Sequence, residues 1–134
     1  MKLSVRSEYA CLALIELARR YESGRLCTAG DIAQRQAIPR KFLEQILLTL
    51  KNARYVRSVR GKDGGYRLAR PPAGITVAEI IRLMDGALAP VASVSTYFHD
   101  HTPLERNRKL LAVMRRIRDY ISDTLERLTF ADLV

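Results

Sequence analysis

The residues best suited to chemistry in this chain are cations, and they are concentrated in residues 51–70. This segment holds seven Lys or Arg residues and a single acid, Asp63. Two short runs of β-type residues, Tyr55–Arg60 and Tyr66–Leu68, flank the sequence Asp63-Gly64-Gly65, and residues that tolerate positive φ are typical of hairpin tips. A small hairpin with many cations and little to bury predicts a surface that contacts a polyanion.

The distribution of charge divides the chain into two halves. The net charge is +9; residues 1–70 hold 15 Lys and Arg against six Asp and Glu, whereas residues 71–134 hold eight of each. The whole excess of positive charge therefore lies in the first half. This partition favours a protein with one nucleic-acid-binding face and one neutral face used for assembly.

Two helices joined by a short connection are predicted directly before the hairpin. Thr28-Ala29-Gly30-Asp31 fits the Ser/Thr-x-x-Asp/Glu signal, so Thr28 is the predicted N-cap of the first helix, where free amides could also hold a phosphate. The second helix is predicted from Pro39 to about Ala53. Its apolar stripe is formed by Phe42, Leu43, Ile46, Leu47 and Leu50. With the hairpin, these helices predict a winged helix-turn-helix, in a chain that is mainly α with a small β-hairpin.

The polar face of the second helix carries side chains that can contact base edges in a major groove. Arg40 and Lys41 favour guanine, Glu44 can accept from cytosine N4, and Gln45 can pair with adenine. Glu44 is the most informative, because an acid facing a polyanion is repelled unless it has a specific partner. The alternative is an intrahelical ion pair of Glu44 with Arg40 or Lys41.

The cations of the hairpin are expected to lie along the DNA backbone and to enter a minor groove. The complete predicted DNA-binding set consists of Thr28, Arg40, Lys41, Glu44, Gln45, Lys51, Arg57, Arg60, Lys62 and Arg67.

The second half of the chain predicts an assembly element. A short helix from Val77 to about Met84, capped by Thr76, completes a DNA-binding domain at residues 1–85; residues 86–101 are a predicted loop, and residues 102–134 a long helix with a C-terminal tail. We expect this helix to run from Thr102 to about Leu128. Apolar residues recur along it in a heptad pattern that predicts a homodimer. The predicted dimerisation residues are Leu110, Met114, Ile117, Ile121 and Leu128, with Thr124 in the same seam.

The cysteine and histidine residues give weaker signals. Cys11 is predicted to be a buried core residue. Cys27, directly before the Thr28 cap, is either a thiol made reactive by a lowered pKa or, as we favour, an apolar residue packed at the helix start. The sequence His99-Asp100-His101 has no fixed third ligand, so we expect no metal. The apolar loop around it is expected to pack on a partner subunit or to line a small-molecule pocket.

Several function classes are disfavoured. The sequence shows no nucleophile–base set, phosphate loop or paired carboxylates in one motif, which argues against an enzyme. No apolar run reaches the roughly 18 residues of a membrane span, and the N-terminus lacks the pattern of a signal peptide. We therefore expect a cytoplasmic protein without membrane partners.

The segment FLEQILLTLKNARYVRSVRGKDGGYRLARPP, residues 42–72, resembles the Rrf-two family of bacterial winged-helix transcription regulators. The runs LSVRSEYACLAL, DIAQRQAIP and LTFADLV match as well, so the resemblance covers nearly the whole chain. It implies a dimeric repressor or activator that binds a dyad operator in double-stranded DNA. It also implies that the acid at Glu44 contacts cytosine and that Arg60 enters a minor groove, with the long C-terminal helices forming the dimer.

The chain departs from this family at the sensor position. In cluster-bearing members, three cysteines in the loop and at the start of the long helix hold an iron–sulfur cluster, but residues 86–109 contain no cysteine. We therefore expect no cofactor, and the resemblance implies control by a metabolite or by a partner enzyme such as a cysteine synthase. Two alternatives stay open: an RNA-binding winged helix, which the narrow major groove of A-form RNA disfavours, and a protein-interaction module without an operator.

Overall fold

Five α-helices and one antiparallel pair of strands form the described part of the chain, residues 2–134, in a computed structural model. The order of elements confirms a mainly helical, winged helix-turn-helix fold. In chain order they are α1 (Val5–Arg19), α2 (Ala29–Gln36), α3 (Arg40–Asn52), β1 (Val56–Val59), β2 (Gly65–Leu68), α4 (Val77–Asp85) and α5 (Arg108–Arg127). No helix within residues 2–134 is long and apolar enough to cross a membrane.

The helix starts follow local hydrogen bonding that the sequence predicts. The Thr28 hydroxyl accepts from the Asp31 amide at 3.1 Å, which confirms the cap of α2. Thr76 and Glu79 form a reciprocal capping box at the start of α4. Pro39 is the N-cap of α3 rather than its first residue, so this helix begins one residue later than predicted.

The core is built around α1, because this helix is apolar on most of its faces. Ala10, Ala13 and Leu14 are fully buried, and α1 packs against α3, α4 and the C-terminal turn Phe130–Leu133. Phe130 is itself completely buried, and its amide donates to the Ile75 carbonyl at 3.1 Å. The end of the chain therefore returns to complete the core of the first half.

One carboxylate is buried in this core. Glu16 is 3% exposed, and it accepts hydrogen bonds from Arg19 at 2.7 Å, Arg20 at 3.3 Å and Gln36 at 2.6 Å. Burying a charge is costly unless it is paired and hydrogen-bonded, and here all three donors meet that requirement. Glu16 thereby joins α1 to the end of α2.

The wing, residues 56–68, is a hairpin of β1 and β2 in the register Val56↔Leu68 and Arg57↔Arg67. Positive φ falls at Gly65 (156°), within the predicted segment Asp63-Gly64-Gly65, and also at Gly61 (110°), which the sequence did not single out. Gly64 is required for a steric reason, since a Cβ there would lie 2.1 Å from the Val59 carbonyl oxygen.

A third backbone segment pairs with the wing at its root. The amide of Cys27 donates to the Tyr66 carbonyl at 2.9 Å, and the amide of Tyr66 donates to the Cys27 carbonyl at 2.8 Å. A Cβ on Gly65 would lie 2.9 Å from the Cys27 carbonyl oxygen. This close approach attaches the wing to the segment that leads into α2.

The start of the C-terminal helix was predicted wrongly. A 3₁₀ turn, Pro103–Arg106, takes the place of the expected first helical turn, and Asn107 has an extended conformation that separates it from α5. The Asn107 side chain accepts from the Leu110 amide at 3.0 Å and caps α5 at Arg108. A capping asparagine therefore sets the helix start, six residues after Thr102.

The contact at Gly65 gives a testable prediction about stability. Gly65→Ala places a methyl group against the Cys27 backbone, so we expect a loss of about 1–3 kcal/mol in the free energy of unfolding, as for other overpacked positions. Gly74→Ala is the matched control, because a Cβ there meets nothing within 4 Å. Urea denaturation followed by circular dichroism measures both. Equal stability of the two variants would contradict the proposed role of Gly65.

Candidate nucleic-acid interface

Helix α3 presents one apolar and one exposed face. Leu43, Ile46, Leu47 and Leu50 are buried, as the stripe predicts. Phe42, placed in the same stripe by the sequence, lies at its margin: it is 37% exposed and meets the Tyr9 ring edge-to-face at 5.5 Å. The exposed face carries the residues predicted to contact bases: Arg40, Lys41, Glu44 and Gln45.

Glu44 forms the intrahelical pair that the sequence offers as the alternative to a base contact. Its Oε1 atom lies 3.2 Å from Nε of Arg40, and the two side chains are 52% and 69% exposed. Exposed pairs at this spacing contribute only about 0.3–0.5 kcal/mol. The pair therefore adds little to stability, and it leaves both side chains accessible to another partner.

Leu48 is a residue of this face that the sequence analysis did not identify. It is 56% exposed and lies one turn after Glu44, whereas the leucines and the isoleucine of the apolar stripe are buried. Apolar side chains at such positions contact the C5-methyl group of thymine. Its position in the sequence could have identified Leu48, because it lies seven residues after Lys41 and therefore on the same helical face.

The wing carries cations that have no acidic partner in the part of the chain that the structure describes. Arg57, Arg60, Lys62 and Arg67 are all exposed. Within residues 2–134, none of them lies within ion-pairing distance of an acid. Arg57 and Arg67 also stand directly opposite each other in the hairpin. Like charges in such cross-strand pairs are destabilising, so a bound polyanion would relieve an existing repulsion.

A basic groove connects the end of α3 with the wing. It has a volume of about 460 Å³, and Lys51, Arg54 and Arg57 contribute its cations. At the other end of the interface, a Cβ on Gly30 would lie 3.8 Å from Nη1 of Arg40 and 3.8 Å from the Thr28 hydroxyl oxygen, so both side chains border Gly30. The predicted set thus falls on α3, on the start of α2 and on the wing, in positions open to solvent.

Arg70 is a cation of the basic segment that serves the fold instead. Its guanidinium stacks on the Tyr55 ring at 4.5 Å and lies 3.9 Å from Glu79. The Tyr55 hydroxyl donates to Glu79 at 2.7 Å, and burial together with this hydrogen bond raises the pKa of Tyr55 to about 12. These contacts fix the base of the wing to α4.

Neither cysteine has the properties of a reactive thiol. Cys27 is 1% exposed, and burial raises the pKa of its thiol, although Nη1 of Arg20 lies 3.1 Å from the sulfur and opposes the effect. The alternative interpretation of Cys27 as a reactive thiol requires a lowered pKa, and the raised pKa contradicts it. Burial likewise raises the pKa of Cys11 to about 11.

Helix α5 exposes an apolar stripe, which differs in part from the predicted seam. Leu110 and Ile117 of that seam are 41% and 36% exposed. Met114 and Ile121 are half-buried, whereas Leu128 packs against the core of its own chain. The exposed stripe contains Leu110, Val113, Ile117 and Tyr120, spaced by three and four residues.

The loop before α5 brings Glu105, which the sequence predicts to lie in the long helix, close to His99 and His101 of the predicted loop. Nδ1 of His101 lies 3.0 Å from Glu105, and Nε2 of His99 lies 3.5 Å from the same carboxylate. The hydrogen bond that His101 donates to the Glu105 carboxylate raises the pKa of His101. Glu105 therefore adds a third potential ligand atom beside the two histidines, which the sequence pattern alone did not provide.

The architecture and the exposed basic face place the chain in the class of winged helix-turn-helix transcription regulators. The model of the family described as "Rrf2: Iron-dependent Transcriptional regulator" matches residues 3–134, so the chain belongs to the Rrf2 family, which its sequence motifs resemble.

Individual relatives agree with this assignment. The HTH-type transcriptional regulator CymR of Bacillus subtilis is 35% identical over 133 residues, which are 99% of this chain and 89% of CymR. Its solved structure superposes with a TM-score of 0.79 at 34% identity, covering 99% of this chain and 95% of that one. The structure of IscR from T. potens superposes with a TM-score of 0.76 at 31% identity, covering 99% of this chain and 85% of that one.

The residues at the family's sensor position do not fit an iron–sulfur cluster. Such clusters are held by thiolates, and residues 86–109 offer none. Cys27, just before α2, is buried, and Cys11 lies within α1 with a raised pKa. The donor atoms in the loop are imidazole nitrogens and a carboxylate, which suit different metal chemistry.

Proposed function

We propose that this protein is a homodimeric transcriptional repressor that binds a dyad operator in double-stranded DNA, without an iron–sulfur cluster. The observation that carries the proposal is the face-to-face pair Arg57 and Arg67, on a wing whose exposed cations have no acidic partner within residues 2–134. Like charges directly opposite each other destabilise a hairpin, and a bound polyanion would compensate them. DNA phosphates are the ligand that best matches a row of cations along a hairpin.

In the proposed complex, α3 enters the major groove and the wing follows the backbone. Lys41, Glu44, Gln45 and Leu48 face the base edges, and Glu44 accepts a hydrogen bond from cytosine N4. Arg60, close to the turn at Gly61, enters the adjacent minor groove. Lys51 and Arg57 line the groove between α3 and the wing and contact phosphates there.

Dimerisation in this proposal uses the exposed stripe of α5. The stripe lies in the half of the chain whose net charge is zero, whereas the whole excess of +9 belongs to the half that carries the proposed DNA-binding face. Its heptad-like spacing suits packing of two helices. A dimer doubles the number of base contacts and gives the operator its dyad symmetry.

An effector site is available beside this helix. A cleft of about 700 Å³ is lined by Leu3, Met84, Leu88, Ile121 and Leu125, with Lys2 and Asp85 at its polar part. Its size and apolar lining suit a small organic molecule. We propose a metabolite in this cleft as the controlling signal; a partner enzyme such as a cysteine synthase, implied by the likeness to a protein described as a global cysteine regulator, is the alternative.

The choice between DNA and RNA is tested by competition. A labelled duplex from the region upstream of the protein's own gene is bound, and unlabelled duplex DNA or duplex RNA of the same sequence is added at fixed salt. We expect DNA to displace the probe at much lower concentration, because the A-form major groove does not admit α3. Equal displacement by RNA would refute the proposal.

Arg60 is the sharpest single test of the wing. Arg60→Ala is expected to weaken operator binding by about 1–3 kcal/mol and to reduce the dependence of the affinity on salt by roughly one phosphate contact. Arg106→Ala removes the same charge from the neutral half and is the matched control. Fluorescence anisotropy at several salt concentrations measures both. If the two variants bind alike, the wing does not contact DNA as proposed.

Ile117 tests the dimer. Ile117→Glu introduces a charge at the centre of the exposed stripe, and its 36% exposure lets the monomer fold tolerate the change. We expect the mass from light scattering at micromolar concentration to fall from dimer to monomer. Ala112→Glu, at an exposed position on another face of α5, should leave the dimer intact. A monomeric unmodified protein would exclude this part of the proposal.

A further inference from the structure

The loop between α4 and α5 contains three potential metal ligands that converge on one point. His99, His101 and Glu105 each offer one ligand atom, and these atoms all lie within 4.8 Å of one another. Ligand atoms about 2.0–2.2 Å from a tetrahedral zinc ion are themselves roughly 3.3 Å apart. In the structure, Nδ1 of His101 lies 3.0 Å from Oε2 of Glu105 and Nε2 of His99 lies 3.5 Å from Oε1 of the same carboxylate, both close to that value.

The ligands are held by the surrounding backbone. On one side of His101, the Asp100 amide donates to the Ala92 carbonyl at 3.2 Å. On the other side, the Thr102 hydroxyl donates to the buried Ser93 hydroxyl at 2.9 Å. Glu105, four residues after His101, lies within the 3₁₀ turn Pro103–Arg106.

The turn that anchors the loop is itself fixed to the long helix. Nη1 of Arg118 donates to the Val94 carbonyl at 2.8 Å, at the end of the turn Ala92–Val94. The three ligands therefore start from a connected framework, and binding an ion requires little additional ordering of the loop. Less ordering means a smaller loss of conformational entropy on binding.

The donor set indicates the class of ion. Two imidazoles and one carboxylate occur in catalytic zinc sites and in mononuclear non-haem iron(II) sites. Hard ions such as Mg²⁺ and Ca²⁺ prefer all-oxygen ligands, and clusters require thiolates. We propose that His99, His101 and Glu105 bind a single divalent first-row transition-metal ion, with water in the remaining coordination positions.

This site does not depend on the proposed function, because it can be tested without DNA. The full-length chain is prepared without a polyhistidine tag, stripped with a chelator and titrated calorimetrically with Zn²⁺, with Fe²⁺ under anaerobic conditions, and with Mg²⁺. We expect one Zn²⁺ or Fe²⁺ per chain and no response to Mg²⁺. A bound ion should also raise the melting temperature, since it binds only the folded state.

The variants assign the ion to these residues. His101→Ala and Glu105→Gln should each lower the affinity at least about tenfold. Asp100→Asn, an exposed neighbour outside the ligand set, should bind as the unmodified chain does. Because the ligands lie near the surface, we expect all variants to melt at the same temperature in chelator. No bound ion, an affinity unchanged in both ligand variants, or equal binding of Mg²⁺ would overturn the proposal.

Discussion

The contact between the backbone of Cys27 and that of Tyr66 is the constraint on which the exposed basic surface of α3 and the wing depends. Two hydrogen bonds of 2.8 and 2.9 Å attach the wing to the residues that lead into α2. The wing is too small to have a core of its own, and an isolated two-stranded hairpin is at best marginally stable in water. Its orientation relative to α3 is therefore set by this bridge, by the buried residues Val56 and Leu68, and by the contacts of Tyr55 with Glu79.

The treatment of charge differs sharply between the interior and the interface. The buried acid Glu16 has three hydrogen-bond donors, and Arg70 is paired with Glu79 and stacked on Tyr55. On the wing, in contrast, Arg57 and Arg67 stand opposite each other with no acid in ion-pairing distance within residues 2–134, at a cost to the free protein. Charged side chains in the interior have partners of opposite charge, whereas the wing cations have none within residues 2–134. This difference indicates that the wing surface is adapted to an external anion.

The sequence could predict the features that depend on neighbouring residues. Capping signals located α2 and α4, periodicity located α3, and the glycine-rich turn located the wing. It could not predict features set by distant parts of the chain. The role of Gly65 depends on Cys27, the internal use of Arg70 depends on Glu79, and the burial of Leu128 depends on a C-terminal turn that returns to α1. Glu105 completes the histidine cluster only because Asn107 delays the start of α5 and leaves a 3₁₀ turn before it.

The burial of Phe130 has a mechanical consequence. Its insertion beside Ile75 holds the C-terminal end of α5 against the winged domain, while Arg118 ties the middle of the same helix to the loop. In an assembly formed through α5, each winged domain would therefore move as one rigid body with the α5 helix of its own chain. A change of a few degrees in the crossing angle of the two helices would be converted directly into a change in the separation of two recognition helices. DNA has a fixed helical repeat, so the crossing angle of the two α5 helices would determine which half-site spacing the dimer can occupy.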